Sequence, residues 1–313
     1  MKHSLFFALC LVTVLSACAP KTTATPTAEA SPTATAVPTP VSPFNYDASV
    51  PFDTKIISQA EQDGVTVTEL SYAAHDPSFS INLGGRTVAT LVSPKGDGPF
   101  AGILYMHWLG GASANRHEYL DEAVALAQHG AVSLLPQGYF PWMSAPLGTQ
   151  ADRPLMIGQV IELRRAFDFL LSQPGVDPKR LGFVGHDYGG VYGGILAGMD
   201  KRAKTYVLIA GVPSFANWIA FFVNHESTAS ERYLPFVQDI DPINFVPNAA
   251  PASIFFQFGK NDSSVTESLA NQYYEAASQP KKIEWYDDTH DMHTDPVREA
   301  HQAWLIEQLN LAP

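Results

Sequence analysis

Cysteine is nearly absent: the 313 residues hold two, Cys10 and Cys18. Both lie in the first eighteen positions, so the rest of the chain has no disulfide and no thiol nucleophile. Basic residues are scarce too, with 19 Lys and Arg against 31 Asp and Glu, and they form no patch. A nucleic-acid partner is therefore not expected, because phosphates are held by cations that displace their counterions. No Gly-x-Gly-x-x-Gly or Gly-Lys-Ser/Thr loop accompanies the early strands, so no cofactor is expected. The stretch carrying Asp287, Asp288, His290, Asp291, His293 and Asp295 lacks an established metal spacing such as His-Glu-x-x-His, and is read as binding no metal.

Long apolar runs are also missing, apart from Leu5 to Leu15, which is too short to span a bilayer as a mature helix. With Lys2 before it and Leu15-Ser16-Ala17-Cys18 after it, residues 1–17 resemble a bacterial lipoprotein signal peptide. The resemblance implies export and lipidation of Cys18, which would become the first residue of a membrane-anchored protein. Residues 18–43 are almost entirely Thr, Ala, Pro, Ser and Val and cannot bury enough surface to offset the entropy of ordering them. They read as an extended tether.

What remains, residues 44–313, is expected to fold as one domain; 46% apolar and 16% charged residues suit a globular enzyme. Strand patterns at Val65 to Tyr72 and Arg86 to Val92 suggest a hairpin at a sheet edge. Phe100 to His107, Ala131 to Pro136, Arg180 to Val184, Thr205 to Ala210, Ala252 to Phe258 and Lys282 to Trp285 follow as strands, the first a continuous apolar run fit for a buried parallel strand. Helical patterns alternate with them at Glu118 to His129, Pro154 to Leu171, Thr266 to Ser278 and Pro296 to Leu311. In the second of these, Arg164 and Arg165 are expected to face water. Strands alternating with helices imply a mostly parallel sheet covered on both faces, with ligands beyond the strands' carboxyl ends.

The most informative turn is Gly185-His186-Asp187-Tyr188-Gly189-Gly190, placed after Leu181-Gly182-Phe183-Val184. Gly-x-nucleophile-x-Gly between a strand and a helix forms a nucleophile elbow, whose flanking glycines let a strained side chain stand at the strand's end. Asp187 occupies the position where serine is usual. A hydroxyl must be activated by a base, whereas a carboxylate is already ionised at neutral pH.

With that turn, the order of elements, Gly259-Lys260-Asn261-Asp262 after a late strand and a histidine after the last strand resemble the α/β-hydrolase superfamily. The segment Val176 to His186 is similar to dienelactone hydrolase-like and acetyl-xylan-esterase-like members, which attack with cysteine or serine. Gly185 to Gly190 instead resembles epoxide hydrolases and haloalkane dehalogenases, in which aspartate attacks.

The resemblance implies a triad of Asp187, Asp262 and His290 in the superfamily's chain order, with His293 the alternative histidine. It implies an oxyanion hole built from the backbone N–H of Tyr188 and of Leu109, the latter in His107-Trp108-Leu109-Gly110-Gly111, where Trp108 departs from the usual glycine. His107 and His186 read as packed structural histidines. Trp108, Tyr139, Trp142, Trp218 and Tyr233 are candidate pocket residues that could donate a proton or hydrogen bond to a leaving group. Residues 212–251 form a candidate lid.

The expected activity is an extracytoplasmic hydrolase in which Asp187 attacks a small epoxide, halide or ester-like molecule. Water activated by the His290/Asp262 pair then hydrolyses the resulting ester. Two alternatives stay open: an esterase-like enzyme in which Asp187 activates water, and an inactive binding protein on the same fold. Neither oligomeric state nor substrate identity is legible.

Overall fold

A computed structural model describes residues 42–77, 84–110, 115–223 and 228–312. The leader, Cys18 and nearly all of the tether lie outside the described residues, as does Gly111. Among the described residues no helix is long and apolar enough to cross a membrane.

Nine strands form one sheet among the described residues: β1 (Lys55–Gln62), β2 (Val65–Ala73), β3 (Arg86–Ser93), β4 (Phe100–Met106), β5 (Ala131–Pro136), β6 (Val176–His186), β7 (Thr205–Ile209), β8 (Ser253–Gly259) and β9 (Lys281–Tyr286). Their spatial order is β1-β2-β3-β5-β4-β6-β7-β8-β9. Pairings from β1 through β3 to β5 are antiparallel, and those from β5 to β9 are parallel. The hairpin expected at the edge therefore sits one strand inward. β1, which the sequence reading missed, takes the edge itself. Its residues KIISQAEQ are nearly all exposed, so no buried face imprinted an alternation on them.

The central strands follow their composition. β5 and β8 are buried along their whole length, β7 likewise, and β4 from its second residue. Seven helices are described: α1 (Leu120–Gln128), α2 (Asp152–Leu171), α3 (Tyr188–Met199), α4 (Ala216–Phe222), α5 (Ala229–Val237), α6 (Glu267–Ala276) and α7 (Asp295–Gln308). α2 packs with α3 against β4 and β6, while α1 and α7 pack against each other and the sheet. Helices thus cover both faces, and the strands deliver their carboxyl ends to one edge.

One expectation on α2 fails. Arg165 is fully buried instead of facing water. Its guanidinium donates to the carbonyls of Ala73, Val50 and Pro51 and stacks on the Phe52 ring at 4.6 Å. The chain entering β1 has backbone carbonyls to satisfy, and Arg165 reaches them from the helix. Helical periodicity assigns a face but not what the face meets.

Candidate active site

β6 ends at His186 and α3 starts at Tyr188, leaving Asp187 alone at the bend with φ 56° and ψ −113°. Such a backbone is costly for a residue with a Cβ, and is held here by bonds on both sides. The Asp187 N–H donates to the Ile209 carbonyl at 2.9 Å, and its own carbonyl accepts from Val191 N–H at 3.0 Å. The flanking glycines are required by space. A Cβ on Gly189 would collide with the Met106 carbonyl, and one on Gly185 with the carbonyl of Gly189.

Asp187, Asp262 and His290 are brought together. The Leu109 N–H donates to Asp187 Oδ2 at 2.9 Å. The other carboxylate oxygen, Oδ1, lies 3.6 Å from His290 Nε2. On the far side of the ring, His290 Nδ1 is 2.8 Å from Asp262 Oδ2, and Asp262 Oδ1 accepts from the N–H groups of Ser264 and Val265 at 2.7 and 2.9 Å. Asp262 follows β8 and His290 follows β9, so neighbouring parallel strands deliver both partners. Tyr188, the first residue of α3, has a backbone N–H with no acceptor inside its helix.

The electrostatics follow from this enclosure. Burial opposes a charge on His290, yet hydrogen bonds to and the charges of Asp187 and Asp262 outweigh it and push the imidazole up to about 10. Burial likewise disfavours the Asp262 carboxylate, but the His290 bond and the two backbone donors hold it below its ordinary range. The resting site is an imidazolium clasped between two carboxylates.

A cleft of about 260 Å³ opens above this group, lined by Leu109, Asp187, Tyr188, Trp218, Phe221, Phe222, Ser264 and His290. Trp218 stands edge-on to His290 at 5.5 Å, and its indole nitrogen is buried without a hydrogen-bond partner among the described residues. Trp218, Phe221 and Phe222 come from α4, so the 212–251 segment contributes one wall. A larger groove of about 460 Å³ is lined mainly by residues of that segment and holds none of the three central residues.

The remaining candidates do not line the cleft. The Tyr233 hydroxyl donates to buried Asp152 at 2.9 Å, and the Trp142 indole N–H donates to the Trp108 carbonyl at 2.8 Å. Tyr139 faces a small cleft beside Gln137 and Gln159. The Trp108 ring stacks on His186 at 5.2 Å and 4°. Pocket membership was misjudged because aromatic residues in an α/β domain serve the core as readily as a ligand site.

His107 is structural. Its Nε2 accepts from Gly138 N–H at 3.0 Å and its Nδ1–H donates to the Trp108 carbonyl at 3.0 Å, while burial pulls its pKa down to about 4. His293 misses Asp187 and binds Glu118 at 3.1 Å. Glu118 itself went unnoticed in the sequence, where an acidic residue beside a helix start reads as an ordinary first-turn charge.

No protein-family model matches the chain, and no curated protein matches its sequence. Solved structures share its architecture. An acetyl xylan esterase from Paenibacillus sp. R4 aligns over 82% of this chain and 89% of its own, at 19% identity and TM-score 0.64. Acetyl xylan esterase 1 from Thermoanaerobacterium sp. JW/SL YS485 covers 85% and 91% at 16% identity and TM-score 0.65. A putative dienelactone hydrolase from Klebsiella pneumoniae subsp. pneumoniae MGH 78578 covers 79% and 99% at 17% identity and TM-score 0.55. The domain has the α/β-hydrolase fold. Its body is similar to esterase and dienelactone hydrolase-like structures.

Proposed function

We propose that the protein is a hydrolase in which Asp187 displaces a leaving group from carbon in a small apolar epoxide or haloalkane, giving an ester on its own side chain. One observation carries this reading: the two oxygens of Asp187 are differently employed, Oδ2 held by Leu109 N–H and Oδ1 turned to His290. As Oδ1 bonds to carbon, the bond from carbon to the leaving group breaks and its electron pair departs with that group. Trp218, edge-on to His290, forms part of the apolar wall past which the leaving group departs.

Esterification removes the charge of Asp187. His290 then faces one carboxylate instead of two, gives up its extra proton, to solvent or to an epoxide's alkoxide, and becomes a base. Water that it deprotonates attacks Cγ of Asp187. The oxyanion forms on Oδ2, where Leu109 N–H already points and where Tyr188 N–H would join it. Collapse breaks the Cγ–Oδ1 bond, and the alcohol leaves with the proton held by His290. The walls of Trp218, Phe221 and Phe222 favour an apolar substrate.

The lipoprotein-like leader supports an extracytoplasmic location with Cys18 as the lipidated anchor. Radiolabelled palmitate incorporated into wild type and absent from Cys18→Ala tests that part. A second reading, in which Asp187 acts as a base on water for a carboxylic ester, is favoured by the likeness to esterase structures. His290→Gln separates the two. The covalent reading requires a stoichiometric substrate adduct on the Asp187 peptide by mass spectrometry. No adduct, with acetyl esters turned over by wild type, supports the second reading.

A further inference from the structure

Three chain segments far apart in sequence must hold fixed positions for this site to work: the loop after β4 that carries Leu109, the end of β6, and the loop after β9 that carries His290. All three converge on one buried side chain outside the cleft. Glu118, in the short 3-10 turn before α1, has a side chain only 2% exposed. Its Oε2 accepts the Trp108 N–H at 2.7 Å, one residue before the Leu109 donor. Its Oε1 lies 2.7 Å from His186 Nδ1 and 3.1 Å from His293 Nε2. His186 then passes the link on, because its Nε2–H donates to the His290 carbonyl at 2.9 Å.

We propose that Glu118 is the positioning residue that sets the gap between the Leu109 N–H and the His290 imidazole on either side of Asp187. It acts through Trp108 on one side and through His186 on the other. The Trp108 ring, stacked on His186 and edge-on to His293 at 5.2 Å, fills the space between these tethers. The inference rests on the triad geometry and not on which reaction Asp187 performs.

The same three residues, Glu118, His186 and His293, also offer nitrogen and oxygen atoms within 4.8 Å of one another, as a metal site would. The spacing speaks for protons. Two ligands of one tetrahedral zinc, each about 2.0–2.1 Å from the ion, stand roughly 3.3 Å apart. His186 Nδ1 and Glu118 Oε1 are at 2.7 Å, a hydrogen-bond length. The other His186 nitrogen, Nε2, meets the His290 carbonyl at 2.9 Å, so both ring nitrogens are engaged in hydrogen bonds.

The test compares Glu118→Ala, Glu118→Gln and wild type by following the His290 imidazole with NMR across pH, with no substrate present. Asp187, Asp262 and the neighbouring His186 and Trp218 are the groups facing that ring. In wild type the midpoint is held up near 10 by the adjacent carboxylates. Glu118→Ala cuts every tether, and the midpoint falls by about one unit or more as His290 drifts from Asp187. Glu118→Gln, whose amide can accept from Trp108 and donate to His186, keeps it within a few tenths of a unit. Should Glu118→Ala fold poorly, His186→Phe preserves the stack while severing the link to His290, and produces the same fall. A wild-type midpoint retained in Glu118→Ala or His186→Phe overturns the proposal, as does loss of activity on chelation that zinc restores. Failure of the covalent reading leaves this titration untouched. If that reading holds, Glu118→Ala also lowers kcat about 10- to 100-fold with little change in KM.

Discussion

Leu109 donates its backbone N–H to Oδ2 of Asp187 at 2.9 Å, while the other oxygen of that carboxylate faces His290 Nε2 at 3.6 Å. One side chain therefore has one oxygen held by a backbone donor and the other turned to an imidazole. The covalent reading proposed above needs that division of roles, and a residue serving only as a counter-ion for His290 would not.

Asp187→Asn tests the need for charge at the elbow. Asparagine has the same shape and tolerates positive φ better than most residues, so circular dichroism should show the same fold as wild type. Turnover should fall at least about a thousand-fold, because the neutral amide is a poor nucleophile. Activity within about tenfold of wild type contradicts the assignment, once deamidation is excluded by mass.

The clasped imidazolium makes stability depend on pH in a stated direction. Burial works against the charge on His290, but Asp187 and Asp262 overcome it and raise the group from 6.5 to about 10. A folded value above the unfolded one stabilises the fold fully below about pH 6.5 and loses that contribution as pH rises through about 10. Asp187→Asn lacks one of the two carboxylates. The melting temperature of wild type minus that of the variant should thus shrink between pH 6.5 and 10. A difference that stays constant, or grows, contradicts the coupling.

Arg165→Leu examines the fold without touching the site. Three carbonyls, those of Ala73, Val50 and Pro51, lose their donor. Urea denaturation should show a loss of about 2–4 kcal/mol, with kcat per folded molecule unchanged. A loss below about 1 kcal/mol means that water replaces the guanidinium.

Much of the architecture was legible because it rests on local patterns. Apolar runs such as Ile254 to Phe258 declare buried strands, and Gly185 to Gly190 declares the bend by its glycines. The expected residues Asp187, Asp262 and His290 come together for the same reason: each follows a recognisable strand. What the sequence hid is whatever depends on partners supplied from far along the chain. Glu118 reads as a helix-start charge until His186 and Trp108 surround it, and Arg165 reads as solvated until the chain before β1 lies across it. Tyr233 looked available until Asp152 took its hydroxyl. β1 carried no signal because almost none of it is buried.

The most direct measurement is a single turnover in water enriched in oxygen-18, with enzyme in excess over an epoxide or haloalkane and the Asp187 peptide then weighed. Attack by Asp187 followed by hydrolysis at its own Cγ places one heavy oxygen in the Asp187 carboxylate and none in the first product released. Heavy oxygen in the product with an unlabelled Asp187 contradicts the covalent route.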